Sequence, residues 1–463
     1  MRTNAARKIE PVLTREGGRG YPHLTAEQRL RRSVMSCLLW EGEFYEDGQS
    51  IADRIAESAS AVSPQVLSKI AIEARTEQYL RHVPLLLSVE LAKRGGKIVG
   101  DTIAQVIQRA DELTEFLSLY WKSNPPTGND ARGNPINAPL AKQVKRGLAL
   151  AFQKFDAYQL AKYDRANAIR LRDVLFLVHA KPKDEAQGKN WKGLVNGTLP
   201  PPDTWEVGLS AGGNKRETFE RLLRENNLGY LALLRNLRGM VGAGVDLGLI
   251  RDAILARNGA HRVLPFRYVA AARACPQLEP VIDKALSEAI SALPVLPGKT
   301  VVLVDVSGSM IVKLSDKSDL RRIDAAAALA SIIHGDVRMF SFSKNLCEVP
   351  ARRGMAGVHA LIQSQFHGQT YLFDSVAIIN KDVPYDRLIV ITDEQATGSG
   401  VRFGISHNGY LNQMPNPKGI GYVVNVASAS NGVGYGPWRH IDGFSENVIR
   451  WISESENDAC SAA

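Results

Sequence analysis

The chain has 463 residues, 44% of them hydrophobic, and carries 57 Lys and Arg against 48 Asp and Glu for a net charge of +9. That length predicts two or three domains with substantial cores. No apolar run approaches the roughly 20 residues of a membrane span, and the segment 1–8 leads into no apolar signal core, so the expectation is a cytoplasmic protein that meets no membrane.

The four cysteines, Cys37, Cys275, Cys347 and Cys460, have neither metal-ligand nor disulfide-framework spacing and read as reduced thiols. Charge is divided unevenly. Residues 1–300 hold 43 Lys and Arg against 32 Asp and Glu, whereas residues 301–463 hold 14 against 16. The basic excess therefore belongs to the first part, which points to a polyanionic partner there, with nucleic acid the leading candidate.

From about residue 20 to 293 the pattern predicts helix after helix. Thr25-Ala26-Glu27-Gln28 is a capping-box pattern, and Ser63-Pro64 is an N-cap followed by proline at the first helical position. Apolar residues then recur at helical spacing through Val66, Leu67, Ile70 and Ile72. Successive helix pairs with short connections predict an α-solenoid rather than a compact bundle. Two polar loops break the run, one near 124–139 and one over 193–214 with Pro200-Pro201-Pro202 and Gly212-Gly213.

Between these loops the charge concentrates: residues 139–192 hold twelve Lys or Arg against five Asp or Glu. At helical spacing Lys154, Tyr158, Lys162 and Arg165 share one stripe, and Phe152, Leu160 and Tyr163 lie opposite. Lys142, Lys145 and Arg146 cluster on the preceding segment; His179, Lys181, Lys183, Lys189 and Lys192 follow. Cations interleaved with an aromatic suit a nucleic-acid backbone, because they neutralise phosphates while rings stack on unpaired bases. A solvated helix face in a basic protein is the alternative.

Pro294-Val295-Leu296-Pro297-Gly298 marks a boundary, dividing the chain into a helical part, 1–297, and a second domain, 298–463. Beyond it strands at 301–306, 337–342, 388–392 and 421–426 alternate with helices at 323–334 and near 446–452, which predicts a doubly wound parallel sheet covered on both faces. Gly242-Ala243-Gly244 and Gly432-Val433-Gly434 lack the context of a dinucleotide fingerprint and read as loop glycines.

Asp305-Val306-Ser307-Gly308-Ser309 ends the first of these strands. One carboxylate and two hydroxyls in a single turn are hard oxygen ligands suited to a divalent ion of the magnesium type. Thr370, in the polar loop Gly368-Gln369-Thr370, and Asp393, which ends the strand 388–392, can reach the same carboxyl edge of the sheet. A phosphatase of the strand-end aspartate kind wants a second acid where Ser307 stands, and Ser-Gly-Ser is not a nucleophile elbow. The ion is expected to bind a partner, not to catalyse, and the protein is expected not to be an enzyme.

Asp305, Ser307, Ser309, Thr370 and Asp393 together resemble the metal-ion-dependent adhesion site of von Willebrand factor A domains, in which a coordination position stays open for a partner's carboxylate or phosphate. The helical part is similar to the TROVE module in the segment 19–95, in Leu177-Val178-His179-Ala180-Lys181-Pro182, in the run 231–237 and in Leu264-Pro265-Phe266-Arg267. A TROVE module followed by an A domain resembles the Ro autoantigen family and its bacterial orthologues. The resemblance implies a monomeric ring of HEAT-like repeats closed by the A domain, with Y-type small noncoding RNA on the outer basic surface. Single-stranded ends of misfolded RNA enter the central hole, RNA rather than DNA is the ligand, and bacterial members tether an exoribonuclease such as polynucleotide phosphorylase. Lys162 and His179 match family positions implicated in RNA binding, and Lys142, Lys145 and Arg146 fall in the corresponding basic helix. A further basic position appears as Ala166, with Arg165 beside it. Set against RNA quality control is a second reading: a divalent-metal-dependent protein-interaction module on a helical scaffold.

Overall fold

The computed structural model describes residues 12–13, 19–20, 26–27, 30–31, 34, 48–77, 79–126, 128–129, 136–164, 167–263, 265–291, 293–314, 320–397, 401–402, 405–406, 411, 413–427, 433–434, 436–442, 448–449, 452–453 and 456. Arg165 and Ala166, the capping positions Thr25 and Gln28, Leu264, Cys37 and Cys460 lie outside them. Cys275 and Cys347 are free thiols.

After a short antiparallel pair, β1 (Val12–Leu13) and β2 (Arg19–Gly20), the chain winds through α1 (Gly48–Ser60), α2 (Pro64–Thr76), α3 (His82–Ala92), α4 (Lys97–Val106), α5 (Asp111–Ser123), α6 (Lys142–Phe152), α7 (Ala157–Tyr163), α8 (Leu171–Val178) and α9 (Glu185–Asn196). The cap expected at Ser63 forms: its Oγ accepts the Val66 N–H at 3.3 Å ahead of Pro64. The helices pack chiefly on the next but one along the chain, so that α2, α4, α6 and α8 form one layer and α1, α3 and α5 a second, and α3 packs on both α2 and α4. This is the solenoid the helix pairs predict. Residues 30–194 share one continuous apolar core.

Two features fix the α4–α6 crossing. Val144, Leu148, Ala151 and Phe152 bury one stripe of α6, and Gly147 lets its backbone approach α4 closely. A Cβ at Gly147 would lie 2.8 Å from the Gly100 carbonyl oxygen and 2.8 Å from Ile103 Cβ. Alanine is the better helix former by about 1 kcal/mol. The backbone of α4 cannot yield without parting the two helices, so Gly147→Ala is expected to destabilise by about 2 kcal/mol net. Urea unfolding checks this; an unchanged midpoint would remove the close crossing from the account.

The solenoid continues through α10 (Trp205–Ser210), α11 (Lys215–Arg224), α12 (Tyr230–Gly242), α13 (Leu247–Ala256), α14 (Pro265–Ala274) and α15 (Glu279–Ser291). Segment 193–214, expected to be a polar loop, is not one. Residues 193–196 finish α9, and α10 stands in the middle, capped by Thr204 Oγ1 on the Val207 N–H at 3.3 Å. Trp205 stacks on Phe219 with ring centroids 6.0 Å apart, an anchor that the surrounding prolines and glycines conceal in the sequence.

The segment 294–298 runs directly into β3 (Leu296–Asp305), where Leu296 is buried and pairs with Gly335 across a bulge. The sheet order is β10 (Trp438–Asp442), β9 (Ile420–Asn425), β6 (Arg387–Thr392), β3, β4 (Gly335–Phe342) and β5 (Leu346–Val349). The four expected strands run parallel, and β10, which the sequence reading did not include, adds a fifth beside β9. The edge strand β5 is antiparallel to β4, since only residues 343–345 separate them and a parallel return needs a long crossover. A separate short pair, β7 (Val401–Arg402) and β8 (Ile405–Ser406), stands apart.

Both faces of the sheet are covered, as its unbroken apolar strands require. Val302, Val304, Ile389 and Ile391 face α16 (Arg322–Ile332) and α17 (Gly354–Ile362), while Val301, Leu303, Leu388 and Val390 face α18 (Leu372–Asp382). The first face belongs to an apolar cluster that starts at Phe219, in the helical part. Helix α14 packs on α16 and α15 on α17, so the stacking of the solenoid passes into the α/β domain without a break in the core.

Candidate functional site

Asp305 ends β3 and Asp393 follows β6, side by side where the strand order reverses. Helix α16 covers one face and α18 the other, so the carboxyl edge between these two strands is the switch point at which open α/β sheets bind ligands. Asp305 Oδ1 accepts the Ser307 N–H at 2.9 Å and its Oδ2 accepts the Thr392 hydroxyl at 2.6 Å. Ser307 Oγ and Ser309 Oγ lie 3.2 Å apart.

The loop before α18 is fastened over this turn. Gly308 donates its N–H to the Gly368 carbonyl at 2.8 Å, and Gly368 donates to Ser343 Oγ at 2.7 Å. Thr370 is fixed from the other side: its carbonyl accepts the Thr397 N–H at 2.8 Å, and its own N–H donates to Thr397 Oγ1 at 3.1 Å. Asp305, Ser307, Thr370 and Asp393 are buried, and Ser309 is half-buried. The structure thus gathers all five oxygen-bearing residues at one strand edge.

The electrostatics suit a cation. Burial first, and then the neighbouring Asp393 carboxylate, push the Asp305 carboxyl up to about 7, partly offset by the hydrogen bonds from Ser307 and Thr392. Two enclosed carboxylates at one strand edge, with three hydroxyls beside them, fit a hard divalent ion. Among the described residues no group of three or more His, Cys, Asp or Glu is arranged to hold a metal, so hydroxyls would have to complete the set. One neighbour was not legible in the sequence: Arg322 Nη1 donates to Asp393 Oδ2 at 3.3 Å.

The basic segment folds differently from the continuous stripe expected. Residues 153–156 break it between α6 and α7, so Lys154 does not share a helix with Tyr158 and Lys162. The break is specified locally by Asp156, whose carboxylate caps the Gln159 N–H at 2.7 Å while Gln159 returns the bond. Lys154 instead turns its ammonium onto the end of α4, donating to the Ala104 carbonyl at 2.5 Å and to the Ile107 carbonyl, and burial lowers its pKa. Arg146 pairs with Asp101 of α4 at 2.6 Å. Both are tied to the α4–α6 junction.

The remaining cations sit on α6, on α7 and at the end of α8. Lys142 is exposed at the start of α6 and Lys145 half-buried one turn on. Lys162 lies over Tyr158 and Tyr163, 5.7 and 5.8 Å from the ring centroids, while Arg109 covers Tyr163 at 4.7 Å. Tyr158 is exposed; Leu160 and Phe152 are buried, though on separate helices, and Tyr163 of the same expected stripe is half-buried. His179 ends α8 in the left-handed conformation at φ 51° and is exposed, as is Lys181. Their loop is rigidly held: Gln153 Nε2 donates to the Lys181 carbonyl at 2.8 Å, and Gln187 Nε2 donates to the Gln153 carbonyl at 2.9 Å. Phe176 of α8 is 58% exposed. Within the apolar run 174–178 nothing marks which side chain faces outward.

A two-layer helical solenoid merging into a doubly wound α/β domain, with oxygen-bearing residues gathered at one strand edge, defines the class of molecule. Residues 196–293, from the end of α9 through α15, match the TROVE domain family model. The structure is similar to the crystal structure of the Ro (RSR) protein of Deinococcus radiodurans, with a TM-score of 0.58 and 17% identity over 93% of this chain and 100% of that chain. One segment of the chain therefore matches the TROVE domain model, and the chain as a whole has the fold of that bacterial Ro protein. The strings at 231–237 and 265–267 lie inside the matched segment; Lys142, Lys162, His179 and Lys181 precede it.

Proposed function

We propose that this protein is a non-catalytic RNA-binding protein of the Ro type. Small structured RNA of the Y kind docks by phosphate contacts with Lys142, Lys145, Lys162, His179 and Lys181, with Arg146 and Arg165 as lesser members. The observation that carries the reading is Lys162 held over Tyr158 and Tyr163, together with the exposed, backbone-anchored loop 179–181. That combination offers both phosphate neutralisation and a ring for an unpaired base. Single-stranded ends of misfolded RNA would enter a central hole of a monomeric ring, in the service of RNA quality control in the cytoplasm. An exoribonuclease such as polynucleotide phosphorylase would be recruited through the bound RNA.

In the α/β domain Asp305, Ser307, Ser309, Thr370 and Asp393 would hold a divalent ion, Mg2+ by the hardness of its donors. When bound, the ion supplies a Lewis-acidic position for a partner's carboxylate or phosphate. The protein's own residues orient that position through the Gly308–Gly368 and Thr370–Thr397 bonds.

The test is the salt dependence of RNA binding by the whole chain. The logarithm of affinity for a structured RNA should fall linearly with the logarithm of salt, with a slope of about −3 or steeper for three or more phosphates. A slope near zero would sink the reading. The alternative, a divalent-metal-dependent protein-interaction module, is favoured by Phe366, 86% exposed, and Ile311, 42% exposed, on the segments that bring Thr370 and Ser309 to the carboxyl edge. Under it Asp305→Ala abolishes capture of a protein partner and leaves RNA binding unchanged.

A further inference from the structure

Arg322 opens α16 with its side chain only 2% exposed, one of the largest enclosed side chains of the molecule. Arginine is rarely buried so completely, because its charge must find a partner or its desolvation goes uncompensated. Here the guanidinium lies against Asp393, itself 0% exposed, at 3.3 Å. Its position is fixed from several directions. The Arg322 N–H donates to the Val312 carbonyl at 3.0 Å, just past Ser309. On the preceding residue the Arg321 N–H is capped by Asp324 Oδ2 at 2.8 Å, and Asp324 pairs with Arg273 of α14 at 2.7 Å. The start of α16 is thus pinned to the metal-site turn on one side and to the solenoid on the other.

We propose that Arg322 is a resident cation of the oxygen cluster, one that neutralises Asp393 when no ion is bound and sets the cluster to hold a divalent ion weakly. The inference rests on reading the five oxygen-bearing residues as a cation site. Five such residues with two carboxylates would, without a fixed positive charge, depend on an ion to offset the repulsion between Asp305 and Asp393. With Arg322 in place the two acids remain together in the ion's absence. A divalent ion that enters must then share Asp393 with the guanidinium and bear its repulsion. Site occupancy would follow the divalent concentration rather than remain permanent.

The experiment uses the full chain and Mn2+ as probe, with binding counted by electron paramagnetic resonance and melting followed in chelator and in saturating Mn2+. Arg322→Met keeps the bulk and removes the charge. It should melt several degrees below the parent in chelator, recover in Mn2+, and bind Mn2+ about tenfold more tightly. Arg322→Lys keeps the charge and should retain the parent's Mn2+ affinity. Equal Mn2+ affinity in parent and Arg322→Met, with a melting loss that Mn2+ does not reverse, overturns the proposal and leaves Arg322 a packing residue. Should Arg322→Met not fold, Arg322→Gln, which keeps a hydrogen-bond donor and removes the charge, decides: parental Mn2+ affinity overturns the proposal, and affinity about tenfold tighter upholds it. Absence of Mn2+ binding in the parent, or binding undiminished by Asp393→Asn, rejects the cation site itself and is a distinct result.

Discussion

Replacing Lys142, Lys162 and Lys181 together by glutamate should weaken binding of a structured RNA by about a hundredfold or more at physiological salt, and should reduce the salt slope by about 3. Each reversal removes a phosphate partner and adds a repulsive charge, and the loop bearing Lys181 cannot move aside because Gln153 and Gln187 tie it to α6 and α9. Filter binding across a salt series measures both quantities. Arg146→Glu serves as a contrast. That side chain is engaged with Asp101, so its reversal should act partly through the α4–α6 junction and lower the melting temperature as well. If the triple variant binds with the parent's affinity and slope, these cations are not the RNA surface.

The largest expected effect on stability lies elsewhere in the solenoid, at Arg75 and Glu112. Arg75 Nη2 donates to Glu112 Oε1 at 2.6 Å, with the two side chains 10% and 0% exposed. The other Glu112 oxygen accepts the N–H groups of Gln108 and Arg109 at 2.7 and 3.1 Å, satisfying donors at the start of α5. Burial raises the Glu112 pKa and lowers that of Arg75, and their mutual attraction offsets this only in part. Glu112→Ala would leave an enclosed guanidinium uncompensated and two amides unmet, a loss of about 3–5 kcal/mol. Replacing both residues by methionine should recover the part due to the enclosed guanidinium, because that desolvation cost disappears with the charges, and should leave the part due to the two unmet amides. Denaturant unfolding of the three chains decides; a loss below about 1 kcal/mol in Glu112→Ala would mean that water reaches the pair.

Much of this was legible in order along the chain. Ser63-Pro64 starts α2 because a β-region hydroxyl and a fixed proline φ act within one turn, independently of the rest of the fold. The strand at 301–305 and the Asp-x-Ser-x-Ser turn are equally local: the apolar run ends where three hard oxygens begin. The parts misread are those whose outcome depends on distant partners. Lys154 resembles its neighbours in sequence, yet the carbonyls at the end of α4 claim it. The segment 193–214 resembles a loop until Phe219 gives Trp205 something to stack on.

The sequence by itself determined most of the helices, the four central strands, the asymmetry of charge and the oxygen-bearing turn 305–309, since each depends on residues near one another in the chain. Only the tertiary structure decided which cations face outward and which are consumed between helices. It also placed Arg322 beside Asp393, 71 residues away in the chain, and ran one apolar core from Phe219 into the sheet. The physical reason is the same in each case: burial and pairing are set by the groups that folding brings into contact, and spacing along the chain carries no record of them.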